Sequence, residues 1–238
     1  GAALFDAEND GDLDLFVANG YTSPDYESTG ICVGQPNHLL ANDGNGHFTD
    51  ISALAGSALA RALPSRAVAA GDFDRDGDLD FYLTSNAGNP NWLYRNDGDG
   101  TFTDVAEQAG VAALTTNSTG VVACDLDNDG YQDLYVGAWG DPRDGLDFRS
   151  PSELPGNKDL LFRNNGDGTF EDITEQAFGD AVNIRSATAP TCADVDNDGW
   201  LDIFVGNLQD DDFRDFRTAH HPGHYNLLYR NNGDLTFT

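Results

Sequence analysis

Asp72-Phe-Asp-Arg-Asp-Gly-Asp-Leu-Asp80 decides how this chain reads, because the same arrangement returns at residues 6–14, 125–133 and 194–202. In each copy an acidic side chain stands at the first, third, fifth and ninth positions and glycine at the sixth. In a tightly turning loop, side chains at alternate positions converge on one centre, and glycine takes the sharp bend at positive φ without steric cost. Oxygens brought together in this way suit a hard cation, so the spacing predicts four calcium loops.

The expected ligands are Asp6, Glu8, Asp10 and Asp14; Asp72, Asp74, Asp76 and Asp80; Asp125, Asp127, Asp129 and Asp133; and Asp194, Asp196, Asp198 and Asp202. The seventh residues, Asp12, Asp78, Tyr131 and Trp200, differ so widely that their contribution is expected through the backbone carbonyl. An EF-hand needs a glutamate at position twelve and a helix on either side. Here position twelve is Val17, Leu83, Val136 or Val205, inside runs such as Leu79-Asp-Phe-Tyr-Leu-Thr84 that favour strands. Turn chemistry alone would explain Asp, Asn and Gly in one loop. It does not explain four aligned copies, in which four or five crowded carboxylates repel one another unless a cation lies between them.

The first aspartates lie 66, 53 and 69 residues apart, a long period of variable length. A second motif follows each loop in phase: Asn37-His-Leu-Leu-Ala-Asn-Asp-Gly44, Asn91-Trp-Leu-Tyr-Arg-Asn-Asp-Gly98, Asp159-Leu-Leu-Phe-Arg-Asn-Asn-Gly166 and Asn226-Leu-Leu-Tyr-Arg-Asn-Asn-Gly233. Short strands come next, at His47-Phe-Thr-Asp50, Thr101-Phe-Thr-Asp104, Thr169-Phe-Glu-Asp172 and Thr236-Phe-Thr238. Turn residues between apolar segments signal hairpins. One repeat therefore predicts four antiparallel strands, with the acidic loop between the first two.

Such units, each unable to bury both faces alone, stack as blades of an all-β propeller. The expected blades span 1–52, 66–106, 119–174 and 186–238 of a single repeat domain. Pro190 falls in the strand entering the fourth loop, where an edge strand tolerates it.

The pairing of D-x-D-x-D-G-x-x-D with N-x-L-Y-R-N-x-G-D-G-T-F-T-D, clearest in residues 72 to 104, resembles the FG-GAP or VCBS repeats of integrin alpha-chain and lectin-like propellers and of many large secreted bacterial proteins. The resemblance covers nearly the whole chain. It implies calcium bracing the turn at one rim, and rings that usually close with seven blades, so the four here are expected to form part of a ring, although four-bladed rings exist. Two departures stand out: Glu8 replaces aspartate, and Ala41 stands where other copies have Arg95, Arg163 and Arg230.

The chain has 238 residues, 39% of them hydrophobic, as a folded core requires. Its formal net charge of -29, with 12 Lys plus Arg and no basic run, argues against nucleic-acid binding and favours cations; four divalent ions would bring it to -21. Calcium loops of modest affinity fill where calcium is near millimolar, so an extracellular, secreted or cell-surface setting is expected. No stretch is apolar enough to span a membrane, and Gly1-Ala-Ala-Leu-Phe5 already approaches a loop, so the chain reads as a portion of a longer one.

Of the three cysteines, Cys32, Cys124 and Cys192, the last two precede acidic loops but one residue out of register. On alternating strands they should face opposite sides, so buried thiols are expected rather than a bridge.

Long excursions at 20–36, 138–158 and 207–225 carry Tyr21, Tyr26, Trp139, Phe148, Phe213, Phe216 and Tyr225, candidates to stack on sugar rings or to fold back over the rim as small satellite cores. The cluster His220-His-Pro-Gly-His224 could hold zinc but reads better as a polar turn. Asn117-Ser-Thr119 matches a glycosylation sequon.

No nucleophile elbow, phosphate loop or zinc-protease motif is present. The expectation is a calcium-stabilised, non-catalytic recognition or adhesion module for an extracellular glycan or protein. A self-associating structural subunit or spacer and a propeller-framed carbohydrate-active enzyme are the alternatives. Neither nucleic acid nor membrane insertion is expected.

Overall fold

A computed structural model describes residues 1–22, 33–56, 59, 62–85, 89–113, 116–138, 158–184, 187–207 and 226–238. The chain runs through β1 (Ala2–Phe5) and β2 (Asp14–Val17), leaves for β3 (Tyr21–Thr22) and β4 (Val33–Pro36), and returns as β5 (His38–Asn42) and β6 (Phe48–Asp50). A short β7 (Ala62–Leu63) follows. The second sheet comprises β8 (Ser65–Gly71), β9 (Asp80–Ser85), β10 (Trp92–Asn96) and β11 (Phe102–Asp104). The third comprises β12 (Ser118–Cys124), β13 (Asp133–Ala138), β14 (Leu160–Asn164) and β15 (Phe170–Asp172), and the fourth β16 (Ala187–Ala193), β17 (Asp202–Asn207) and β18 (Leu227–Tyr229).

Each sheet is an antiparallel meander in chain order, with the acidic loop joining its first two strands. The first strands of successive sheets lie side by side, β1 with β8, β8 with β12 and β12 with β16, so the sheets stack face to face as propeller blades. Alternation along the second strands explains the stacking. Phe16, Tyr82 and Tyr135 face the following blade, while Phe81, Leu134 and Ile203 face the preceding one.

The core accordingly divides into three seams. Phe16 and Leu39 meet Phe81, Tyr94 and Phe102; Phe73, Tyr82 and Leu93 meet Leu134, Phe162 and Phe170; Leu126, Tyr135 and Leu161 meet Ile203, Tyr229 and Phe237. Each fully buried aliphatic or aromatic side chain contributes about 1.5–3 kcal/mol. Ring packing is close, with 4.5 Å between the centroids of Phe16 and Phe81.

Four features depart from the sequence expectations. Cys124 and Cys192 are joined in a disulfide, with their Cα atoms 6.7 Å apart. They do sit on opposite faces of equivalent strands, but stacked blades turn opposite faces toward each other, so being out of register is what lets the two sulfurs meet. The fourth strand of the last blade is reduced to a single bridge, Asn231 to Phe237. Strands β3, β4 and β7 form a small side sheet where only a loop is expected. Single helical turns α1 (Ala106–Ala109) and α2 (Thr174–Phe178) link blades; they start where Asp104 and Asp172 accept the backbone N–H two residues on, and are too short to show a 3.6-residue period. Pro190 lies in β16, an edge strand, as its missing N–H requires. No helix among the described residues is long and apolar enough to cross a membrane.

Candidate metal centres

The four acidic loops share one backbone. The fourth residue is left-handed in each, Asn9, Arg75, Asn128 and Asn197 at φ 56–61°, and the sixth is glycine at φ 89–100°. The first carboxylate fixes that turn: Asp6, Asp125 and Asp194 accept the N–H groups of residues five and six, and Asp72 accepts that of Gly77. The fifth carboxylate accepts the N–H of residue seven, as Asp76 does from Asp78 at 2.9 Å. The side chains of Asp12, Asp78, Tyr131 and Trp200 lie against Gly44, Gly98, Gly166 and Gly233 of the second motif, where a Cβ would meet them within 2.5–2.8 Å. Their side chains thus cover a neighbouring turn.

The ninth aspartates, Asp14, Asp80, Asp133 and Asp202, are buried. Each accepts the N–H of loop residue two and of an asparagine in the second motif, Asn42, Asn96, Asn164 or Asn231. Burial pushes the carboxyls of Asp80 and Asp133 up to about 7, against the backbone hydrogen bonds that hold them down. Burial, then the neighbouring Asp76, also raises Asp74.

Carboxylate oxygens of Asp72, Asp74 and Asp80 lie within 4.8 Å of one another, as do those of Asp125, Asp127 and Asp129, and of Asp194, Asp196 and Asp202. One oxygen of this set, Asp72 Oδ1, is buried with no hydrogen-bond partner. Buried carboxylate oxygens are expensive to leave unpaired. An all-oxygen donor set with an orphaned buried oxygen fits a calcium ion. The first loop forms no such group; there partial burial, then Asp14, Asp10 and Asp6, push the Glu8 carboxyl up. Arginines neutralise part of the charge: Arg163 contacts Asp127 and Asp129, and Arg230 contacts Asp196 and Asp198, whereas Arg95 turns to Asp97.

An FG-GAP-like repeat profile matches residues 6–83, 72–136 and 152–205. The chain belongs to the FG-GAP-like repeat family. It is 26% identical over 232 residues to mouse (Mus musculus) cartilage acidic protein 1, covering 98% of this chain and 32% of that protein, and 32% identical over 143 residues to the Xenopus tropicalis protein of the same name, covering 60% and 20%. The chain thus spans about a third or less of the length of these relatives. A solved Agrocybe aegerita lectin, described as recognising non-reducing terminal N-acetylglucosamine, superposes with a TM-score of 0.44 at 17% identity, over 100% of this chain and 64% of that one.

The FG-GAP second motif carries a residue set that its local pattern did not single out. The side-chain amide of Asn96 donates to Leu79 of its own loop and to Ala7 of the preceding one; Asn164 likewise joins Gln132 to Phe73, and Asn231 joins Leu201 to Leu126. Each asparagine therefore ties two neighbouring acidic loops together. Its recurrence at one place in all four copies was the available signal.

Loop residue four also reaches across. Asn9 donates to Asp78 at 2.6 Å, Arg75 lies 4.8 Å from the centroid of the Tyr131 ring, and Asn128 donates to the Gly199 carbonyl. Of the aromatic candidates, Tyr21 lies on β3; Tyr26, Trp139, Phe148, Phe213, Phe216 and Tyr225 fall outside the described residues, as does the histidine cluster. Ser118 of the sequon is fully buried, its hydroxyl accepting from Asn91.

Proposed function

We propose that this chain is a secreted, calcium-stabilised propeller segment that serves as a recognition module for an extracellular glycan or protein, without catalysis of its own. The observation that carries the calcium reading is the buried, unpartnered Asp72 Oδ1 beside Asp74 and Asp80. Those three residues, with Asp76 and the carbonyl of residue 78, would hold one ion, and the corresponding residues of the third and fourth loops would hold two more. A bound divalent ion supplies the positive charge that lets crowded carboxylates stay ionised at a blade rim.

The Cys124–Cys192 disulfide supports an oxidising compartment, where such bonds persist. The recognition reading is supported by the family's repeat architecture, in which rigid blades present variable connections. The long excursions between second and third strands are the places where such connections would carry a ligand.

Calorimetric titration of chelated protein, run beside thermal melts, tests the calcium reading. Three or four sites are expected, and chelation should lower the unfolding temperature markedly, since each ion held at about a hundred times its Kd adds about 2.7 kcal/mol. Asp72→Asn should abolish one site. Unchanged melts with and without chelator would refute calcium; glycan arrays and extracellular pull-downs that find no ligand with calcium present would refute recognition.

A further inference from the structure

The seam between the second and third blades, each a complete four-stranded sheet, holds a cleft of about 480 Å³. Its floor is apolar: Phe73, Leu93, Val105, Ala109 and Phe170. At the next seam the equivalent floor is Leu126, Leu161, Ile173, Ala177 and Phe237, and there Leu235 is buried in the same cluster. The third-blade residue that corresponds to Leu235 is Gly168, on the cleft wall, where an added Cβ would meet nothing within 4 Å.

The two turns are otherwise alike. Asp167 accepts from the N–H and the hydroxyl of Thr169, as Asp234 does from those of Thr236, and the N–H groups of Asn165 and Asn232 donate to the carbonyls of Thr169 and Thr236. Gly168 and Leu235 are both left-handed, at φ 82° and 60°. The cleft is thus the place of one missing aliphatic side chain, over a floor already built for it. The first seam also has glycine here, Gly100, but the Glu8 side chain comes within 3.9 Å of the position of its Cβ. On the cleft walls Asp74, Asp80 and Asp167 stand against one cation, Arg95, which is already paired with Asp97. Calcium in the second loop would offset Asp74 and Asp80, leaving Asp167 as the unbalanced charge. Thr103 and Gln108 add exposed hydrogen-bonding groups at the edge.

We propose that this cleft binds a segment of a partner protein, which seats a leucine-sized side chain on the apolar floor and a basic residue beside Asp167. The next seam shows a polypeptide placing that side chain on the matching floor. An apolar pocket edged by a few polar groups suits such a ligand, with Thr103 and Gln108 meeting its backbone. The surplus of carboxylates selects the basic neighbour by charge complementarity. The site is built from outer strands, an acidic loop and the α1 turn rather than from the long excursions, so it stands or falls separately from the recognition reading above.

Amide NMR of the 238-residue chain in calcium, titrated with the blocked tripeptide Lys-Leu-Lys, tests it. Shifts should be confined to residues 103–109 and 167–170 and their neighbours. Exchanging the central leucine of the peptide for glycine should weaken binding about tenfold or more, the value of burying one such side chain. Gly168→Leu copies the next seam, so it should fill the cleft and abolish the shifts without lowering the melting temperature. Leu235→Gly, a residue the equivalent turns already carry at 46, 100 and 168, should open the matching cleft and add a second set of shifts at residues 173–177. No shifts at the solubility limit of the peptide, equal binding of the glycine peptide, or binding retained by folded Gly168→Leu overturns the proposal. Should Gly168→Leu fail to fold, a Leu235→Gly chain that gains no second set of shifts overturns it instead.

Discussion

The seam between the second and third blades and the seam between the third and fourth are built on one backbone but held by different chemistry. In the former, Asn91 opens the third strand; its carbonyl oxygen accepts from the Ser85 N–H, and its amide donates to Tyr82 and, across the seam, to Ser118. The first seam repeats this with Asn37 and Ser65. At the third seam the residue facing across is Ala187, which has no hydroxyl, and the asparagine is replaced by Asp159. Asp159 accepts where Asn91 donates, taking hydrogen bonds from Tyr135, Ala138 and Asn183. Asn183 also donates to Asn207, so this network spans both blades. The disulfide lies in the same seam. With Ala187 the acceptor across the seam is gone, and the donors Tyr135, Ala138 and Asn183 that meet position 159 are matched by a carboxylate.

The largest expected effect comes from the covalent link. Cys124 and Cys192 are 68 residues apart, and releasing a loop of that size returns entropy to the unfolded chain, so Cys124→Ser with Cys192→Ser should cost about 2–4 kcal/mol. Thermal melts with and without reductant check this: reductant should lower the wild-type midpoint and leave that of the double variant unchanged. A wild type indifferent to reductant would mean that the third seam needs no cross-link beyond what the second has.

Next in size is Asp159→Asn, which gives the third seam the residue of the other two while Ala187 stays. The new amide faces the donor Asn183, so a loss of about 1–3 kcal/mol is expected. Adding Ala187→Ser restores an acceptor and should recover part of that loss. Titration gives a second signature. Burial pushes the Asp159 carboxyl up to about 7, opposed by its hydrogen bonds, so between the ordinary carboxylate value and about 7 the folded state holds a proton that the unfolded state has released. That contribution is complete below pH 3.8 and is lost as pH rises through about 7. The stability gap between wild type and Asp159→Asn should therefore shrink from pH 4 to pH 7 and then level off; denaturant melts in saturating calcium would show a widening gap if the sign were wrong.

What could be read without the structure was local. The acidic loops announce themselves because their carboxylates fall within nine residues, and strand alternation after Asp80 or Asp133 places each second strand. The disulfide could not be read in the same way, because alternation was taken within one strand while the pairing depends on which faces two stacked blades present. The exchange of asparagine for aspartate at position 159 is visible in the motif, but its cause, Ala187, belongs to another blade. Most of the aromatic ligand candidates lie on excursions outside the described residues, where neither repeat pattern extends.

The smallest effect compares an internal seam with an open face. Asn164 donates to Phe73, 91 residues away, and to Gln132 in its own loop, and accepts from Gly166; Asn42 donates to Leu13 and accepts from Gly44. Alanine at 164 leaves two buried or half-buried carbonyls without that donor and unties the second loop from the third, a loss of about 2 kcal/mol. Alanine at 42 releases one contact at a solvated face and should cost about half as much. Calcium titration separates tethering from simple stability: Asn164→Ala should weaken sites in both the second and third loops, because the amide orients both, whereas Asn42→Ala should leave them unchanged. Equal losses in the two variants would mean that the asparagine only completes its own turn, and that neighbouring loops are joined by the apolar seam alone.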